Sequence, residues 1–249
     1  MGDGNPLPLL IALAAPCIGS FIGLLAERLP RGRSILFARS RCEACEAQLR
    51  WHELIPILSW IAQRGRCRRC GAKIGWSALG VELAALAIAV WALLVLPAGA
   101  WLPGLLLGWS LLLVALIDLR MMLLPDRITL PLLGAGLIAA GVLAPTRFAE
   151  HALGAAIGFA SLSALGLVYE RARGRVGLGG GDAKLFAAIG AWVGWPGLPS
   201  ALFIASILGT AHAVLRGRGR LVAGDRIPFG PALALGGWIV WLHGPLVWP

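Results

Sequence analysis

Long apolar runs separated by short charged ones organise this chain. Eight segments reach or approach the ~20 apolar residues that a helix needs to cross a bilayer core of about 30 Å. They cover residues 7–26, 78–96, 101–117, 128–144, 152–168, 185–195, 198–215 and 227–248. The sixth is short for a span. Between the first two lies a polar stretch at 27–77, the one part with the composition of a soluble protein. The pattern predicts an all-α integral membrane protein of about eight transmembrane helices, in three parts: a first helix at 1–26, a loop domain at 27–77 and a multi-span domain at 78–249.

The charges give this count an independent check. An eight-span chain with its N-terminus outside should carry Lys and Arg in alternate loops. Of the 22 basic residues, 21 fall in those loops, among them Arg120, Arg127, Arg175, Arg218, Arg220 and Arg226, and only Arg147 falls in a loop assigned outside. The expected setting is a bacterial inner membrane, with the loop domain cytosolic and both termini periplasmic. Residues 1–8 hold Asp3 and no Lys or Arg, so they lack the basic start of a signal peptide and the first helix is expected to be retained. Trp101, Trp195 and Trp248 stand at predicted span ends, where an amphipathic ring anchors in the interface.

Composition narrows the class further. Hydrophobic residues make up 58% and charged residues 14% of the 249, with a mean hydropathy of +0.80, whereas soluble domains carry roughly 25% charged residues. A soluble enzyme, a disordered chain and a disulfide scaffold are excluded. The net charge of +10 would suit nucleic acid, but the positive residues lie between apolar segments and make no single basic face. Membrane lipid is therefore the expected partner, and nucleic acid is not. The 34 glycines read mainly as sites of close helix approach, as in the stretches 134–141 and 154–158.

Four of the five cysteines lie in the polar loop, as Cys42-x2-Cys45 and Cys67-x2-Cys70. Each short turn presents two sulfurs to one side, and two such turns supply a tetrahedral Zn2+ site. The neighbouring Arg41, Arg66, Arg68 and Arg69 favour thiolate. A reducing cytosol argues against two disulfides. Four sulfurs close the coordination shell, so the metal would be structural. Cys17, inside the first span, reads as a small packed hydrophobe.

Ionisable residues in or beside a membrane helix are costly and point to function. Glu82, Asp118, Asp126 and Asp182 qualify. Two carboxylates brought together can share a proton, one activating water while the other donates to a carbonyl, with no metal required. Gly179, Gly180 and Gly181 precede Asp182 and allow close backbone approach to an extended substrate, with Lys184 just beyond. Taken alone, each Asp could equally be an interfacial cap or the partner of a nearby Arg.

The order of motifs resolves that choice. The matching stretches are Gly19-Ser20-Phe21 through Arg28-Leu29-Pro30, Ser40-Arg41-Cys42 with the other three cysteines, Ile55-Pro56-Ile57-Leu58-Ser59-Trp60, and Arg64-Gly65-Arg66-Cys67. Ile117-Asp118, Leu124-Pro125-Asp126, Gly179-Gly180-Gly181-Asp182-Ala183-Lys184 and Ile227-Pro228-Phe229-Gly230-Pro231 follow. Over nearly its whole length the sequence resembles the bacterial prepilin peptidases, or type IV leader peptidases, which are aspartyl peptidases of the Gly-x-Gly-Asp type. The resemblance implies removal of a basic leader from type IV prepilins or type II secretion pseudopilins at the cytosolic membrane face. The family's catalytic pair maps onto Asp118 and Asp182, and Asp126 takes a supporting place with Gly179, Gly180, Gly181 and Lys184. Many members also methylate the new N-terminal amine with S-adenosylmethionine, and those members carry the tetracysteine loop; this chain keeps all four cysteines. No Gly-rich donor fingerprint is present, so only Glu53 is a candidate for that step, with a plain surface acid as its alternative. Two other classes compete: a proton-coupled transporter would need internal repeats and acids at mid-membrane, and an assembly scaffold would not need its aspartates.

Overall fold

The computed structural model describes residues 5–34, 40–42, 44–174, 177–216 and 228–246. Among them the regular elements are helices, and extended pairing is confined to two isolated bridges, Arg41 with Gln48 and Arg66 with Lys73. Ile227, Trp248, Glu43, Arg175, Arg218, Arg220 and Arg226 lie outside the described residues.

Each of the eight apolar segments contains helix among the described residues. The first five correspond to α1 (Leu7–Arg28), α3 (Trp76–Val95), α4 (Trp101–Met121), α5 (Asp126–Leu143) and α6 (Phe148–Arg173), and a short α2 (Leu58–Ala62) lies in the polar loop. The sixth and seventh fall together in α7 (Gly180–Arg216), and the eighth in α8 (Gly230–His243). Among the described residues, six helices are long and apolar enough to cross a membrane. At 1.5 Å per residue, a straight α7 of 37 residues would run about 55 Å, far beyond a ~30 Å bilayer core. It is broken at Gly194, whose φ of 72° and ψ of 169° are closed to residues with a side chain. Pro196 and Pro199 follow the break, and neither has an N–H to donate to the preceding turn.

The chain divides into two compact units, Met1–Leu94 and Val95–Pro249. In the first, α1 meets α3 at Gly19, where an added Cβ would lie 2.7 Å from the Cα of Glu82 and 2.9 Å from the Cβ of Ala85. Backbone contact this close needs glycine, as small residues allow between membrane helices generally. Cys17 is exposed on α1. It does not pack in a core, because Ala15, Gly19, Ile22 and Ala26 form the face that α1 buries.

In the second unit the first half of α7 is the central helix. From Ala183 to Trp192 its residues are buried apart from Lys184. Gly154 and Gly158 of α6 pack on the α7 backbone, Gly154 against Gly190 and Gly158 against Phe186, as the 154–158 stretch predicts. In 134–141 the close contact is made by Gly136 against Trp192, while Gly134 faces open space. The Trp192 indole N–H donates to the Leu132 carbonyl of α5 at 2.9 Å, and a ring nitrogen of His151 in α6 pairs with the Ala191 carbonyl at 3.0 Å. Without water as a driving force, such hydrogen bonds and close packing hold membrane helices together. Here they fix the start of α7, and with it Asp182.

Candidate active site

Asp118 stands in the last turn of α4, just before the helix stops at Met122 in the left-handed conformation. It is 5% exposed. Its Oδ2 accepts the backbone N–H of Gly230 at 2.9 Å, across 112 residues of sequence. Gly230 is the first residue of α8, so its N–H is one of those that a helix leaves unpaired, and it lies at the positive end of the helix dipole. A Cβ on Gly230 would sit 2.7 Å from Asp118 Oδ2. Glycine is the only residue that brings this N–H to the carboxylate without displacing it. The Pro228-Phe229-Gly230-Pro231 run was legible as a motif, but nothing in the sequence indicated its partner.

Asp182 lies in the first turn of α7, directly after Gly180 and Gly181. Its Oδ2 accepts the Gly179 N–H at 3.2 Å, and its own N–H donates to the Gly179 carbonyl at 3.1 Å. This reciprocal local pair closes the turn that starts the helix. Asp118 lies near enough for its charge to repel that of Asp182. The two carboxylates come from different helices and stand in one electrostatic field. Leu124 supports both approaches from the α4–α5 turn. A Cβ on Gly181 would lie 2.7 Å from its Cβ, and Leu124 Cδ2 lies 3.2 Å from the corresponding point on Gly230.

Asp126 is differently employed. It is the first residue of α5, and both its oxygens accept from the Lys184 ammonium at 2.7 Å. The pair is partly exposed and joins α5 to α7 across 58 residues. An exposed ion pair contributes on the order of 0–1 kcal/mol to stability. Its main effect here is to hold the second residue after Asp182 against the start of α5.

The four cysteines converge in the first unit. Their sulfurs all lie within 4.8 Å of one another, and Cys42 Sγ is 3.9 Å from Cys70 Sγ. Zinc–sulfur bonds of about 2.3 Å at tetrahedral angles would set sulfurs about 3.8 Å apart, so the cluster fits one such ion with slight contraction. The two knuckles are built alike: the Cys42 and Cys67 N–H groups donate to Ala47 and Ala72 at 3.0 and 2.8 Å, and each cysteine carbonyl accepts from a residue four positions on, Glu46 or Gly71. The sulfurs do not ionise alike. The Cys70 and then the Arg69 backbone N–H pull the Cys67 thiol down to about 7. At Cys70 the Ala72 N–H also pulls downward, but the Cys45, Cys67 and Cys42 sulfurs and desolvation outweigh it and push the thiol up to about 11.

Glu53 caps its own 3-10 turn, Oε2 accepting the Arg50 N–H at 2.8 Å. Glu82 is 8% exposed and accepts the Ile57 N–H at 2.7 Å. Its intramembrane position was visible in sequence; its loop partner was not.

Residues 13–96 match the Bacterial Peptidase A24 N-terminal domain and residues 105–214 the Type IV leader peptidase family. Among curated relatives, the "Prepilin leader peptidase/N-methyltransferase" of Burkholderia pseudomallei (strain 1026b) is 41% identical over 91% of this chain and 72% of its own length. The proteins of the same name from Stutzerimonas stutzeri and Aeromonas hydrophila are each 36% identical, over 90% and 94% of this chain and 78% and 90% of their own lengths. No solved structure gives a significant match. Motif order, two consecutive domain matches and relatives covering nearly the whole chain agree, and the chain belongs to the type IV leader peptidase family.

Proposed function

We propose that this multi-pass membrane protein removes the basic leader of a type IV prepilin or type II secretion pseudopilin, using Asp118 and Asp182, and then methylates the new N-terminus. The observation that carries the peptidase reading is that the last turn of α4, with Asp118, and the first turn of α7, with Asp182, meet around Leu124, which packs on Gly181 beside Asp182 and shares with Asp118 the space next to Gly230. Their relatives' names supply the substrate class and the second activity.

One carboxylate of the pair is ionised and takes a proton from water as the water oxygen adds to the scissile carbonyl carbon. The other is protonated and donates to the carbonyl oxygen, where negative charge develops. Collapse of the tetrahedral intermediate breaks the C–N bond, and the leaving amine takes up the proton. The Gly230 N–H holds the Asp118 carboxylate in one orientation through the cycle. The glycines before Asp182 leave backbone free of side chains beside it, suited to an extended leader segment. Asp126 and Lys184 are positioning residues, since their charges are spent on each other.

Basic residues in alternate loops support a cytosolic face for the dyad and the cysteine loop, with both termini periplasmic. Cys42, Cys45, Cys67 and Cys70 hold one structural Zn2+ in this reading. S-adenosylmethionine, when bound, supplies an electrophilic methyl group. The described residues of the cysteine unit define no site for it, and Glu53 is assigned only as a countercharge for the new ammonium, alongside its capping role.

The test is mass spectrometry of a prepilin incubated in membranes containing wild type, Asp118→Asn or Asp182→Asn protein, with and without S-adenosylmethionine. Leader loss with wild type and with neither variant supports the dyad. A methyl group added only with the donor supports the second activity. Cleavage by either folded variant overturns the dyad assignment.

A further inference from the structure

The cysteine loop is not uniformly polar. Between Arg50 and Arg64 runs an apolar stretch, Trp51 to Ala62, interrupted by His52, Glu53 and Ser59. Trp51, Leu54, Ile55, Leu58 and Ile61 are all exposed, Leu58 at 65% and Ile61 at 58%. Leu58 and Ile61 are three apart in α2 and share a face. In a loop surrounded by water this surface would be a liability, because apolar groups gathered into one patch usually mark a contact.

Two contacts fix where the stretch lies. The Ile57 N–H donates to Glu82 at 2.7 Å, and the Trp60 ring packs on that of Trp76, centroids 4.5 Å apart. Trp76 is the first residue of α3, and Glu82 stands six residues further in. Six residues of helix measure about 9 Å, and because helical side chains lean toward the N-terminus, the Glu82 carboxylate lies roughly one turn inside the end of α3. The backbone at Ile57 is therefore held alongside the first turns of a membrane helix. Ile57 is also strained, with φ at 62°, where a β-branched residue is an outlier. Its N–H bond to a buried carboxylate is what opposes that strain.

We propose that the segment from Trp51 to Ala62 re-enters the bilayer interface beside α3, with Leu54, Ile55, Leu58 and Ile61 in contact with lipid and Glu82 setting its depth. The occupant of the patch is lipid because Ile57 and Trp60 hold the stretch against α3, a helix of membrane-spanning length and hydropathy whose own Leu83, Val90 and Leu94 are exposed. The flanking Arg50 and Arg64 are exposed and suit anionic headgroups, and the exposed Trp51 and Trp76 suit the interface. A backbone donor at this depth needs an internal acceptor, and Glu82 is that acceptor.

The experiment places p-benzoylphenylalanine singly at Leu58, Ile61 or the exposed Lys73, in full-length protein reconstituted in nanodiscs of phosphatidylethanolamine and phosphatidylglycerol. Irradiation is followed by mass spectrometry of adducts, with a monodisperse elution profile as the folding control. Lipid adducts at positions 58 and 61 at least about tenfold above those at 73 are expected. Equal yields at the three positions, or adducts at 58 and 61 that are mainly protein, overturn the proposal. Repeating the measurement at 58 in Glu82→Gln, which keeps an acceptor oxygen, and in Glu82→Ala, which does not, tests the anchor. Adducts should persist in the first and fall in the second, and an unchanged yield in Glu82→Ala removes Glu82 from the proposal.

Discussion

Gly230 has no side chain because Asp118 occupies the space that one would need. Gly230→Ala puts a methyl group 2.7 Å from the carboxylate oxygen, so either the N–H···O bond opens or Asp118 turns away from Asp182. A misplacement of this order at a reacting group costs roughly 100-fold in rate, and a prepilin cleavage time course should show a loss of that size without loss of folded protein. Asp126→Asn tests the other role. Removing one partner of a half-exposed pair should cost under about 1 kcal/mol of stability and slow cleavage far less than Asp118→Asn does, in the same assay. Glu46 offers an opposite sign. It adopts φ of 54° where the second knuckle has Gly71 at 72°, and the two knuckles otherwise share their hydrogen bonds. Glu46→Gly should relieve on the order of 1 kcal/mol of left-handed strain, seen as slower zinc release to a chelating dye. The proposed catalytic pair and the cysteine cluster stood out as candidates because their residue types declare their chemistry. Gly230 and the Glu82 anchor were not, because each contact runs through a backbone N–H, 112 and 25 residues away, and a backbone donor leaves no mark in a sequence.

Helix ends, more than helix faces, build this site. Asp118 lies in the last turn of α4 and Asp182 in the first turn of α7, while Asp126 opens α5 and Gly230 opens α8. The apolar runs made the helices readable, since a span needs continuous hydrophobic length. They also hid the faces, because runs that are apolar all round do not show which side packs. Cys17 was misread for that reason, exposed where a buried place was expected. The break in α7 was readable, as the gap between two segments, since Pro196 and Pro199 cannot continue the ladder. The residue that turns there is Gly194, in a region of φ and ψ that alanine enters only at a cost of about 1–3 kcal/mol. Gly194→Ala should therefore lower the thermal midpoint of detergent-solubilised protein, while Gly180→Ala, with open space around it, should leave it within experimental scatter.

In the proposed function the two chemistries belong to separate units. Every hydrogen bond and close contact described for Asp118, Asp182, Asp126 and Lys184 lies within Val95–Pro249, and all four clustered cysteines lie within Met1–Leu94. A loop whose apolar side chains are exposed or only half-buried would depend on a bound metal to hold its shape, because metal binding and folding are one free-energy change in such knuckles. Chelation should therefore act on one unit first. Stripping zinc, or replacing Cys42 and Cys45 with Ser, should expose the loop to protease and abolish methylation. Leader cleavage should survive within roughly tenfold, the scale of a ~1.4 kcal/mol change in barrier. The check is a single mass spectrum of the processed prepilin, in which unmethylated mature product replaces methylated product while the precursor still disappears. Parallel loss of both products in variants that remain monodisperse would mean that the aspartate pair depends on the cysteine unit for its working geometry, and the division of labour between the units would fall.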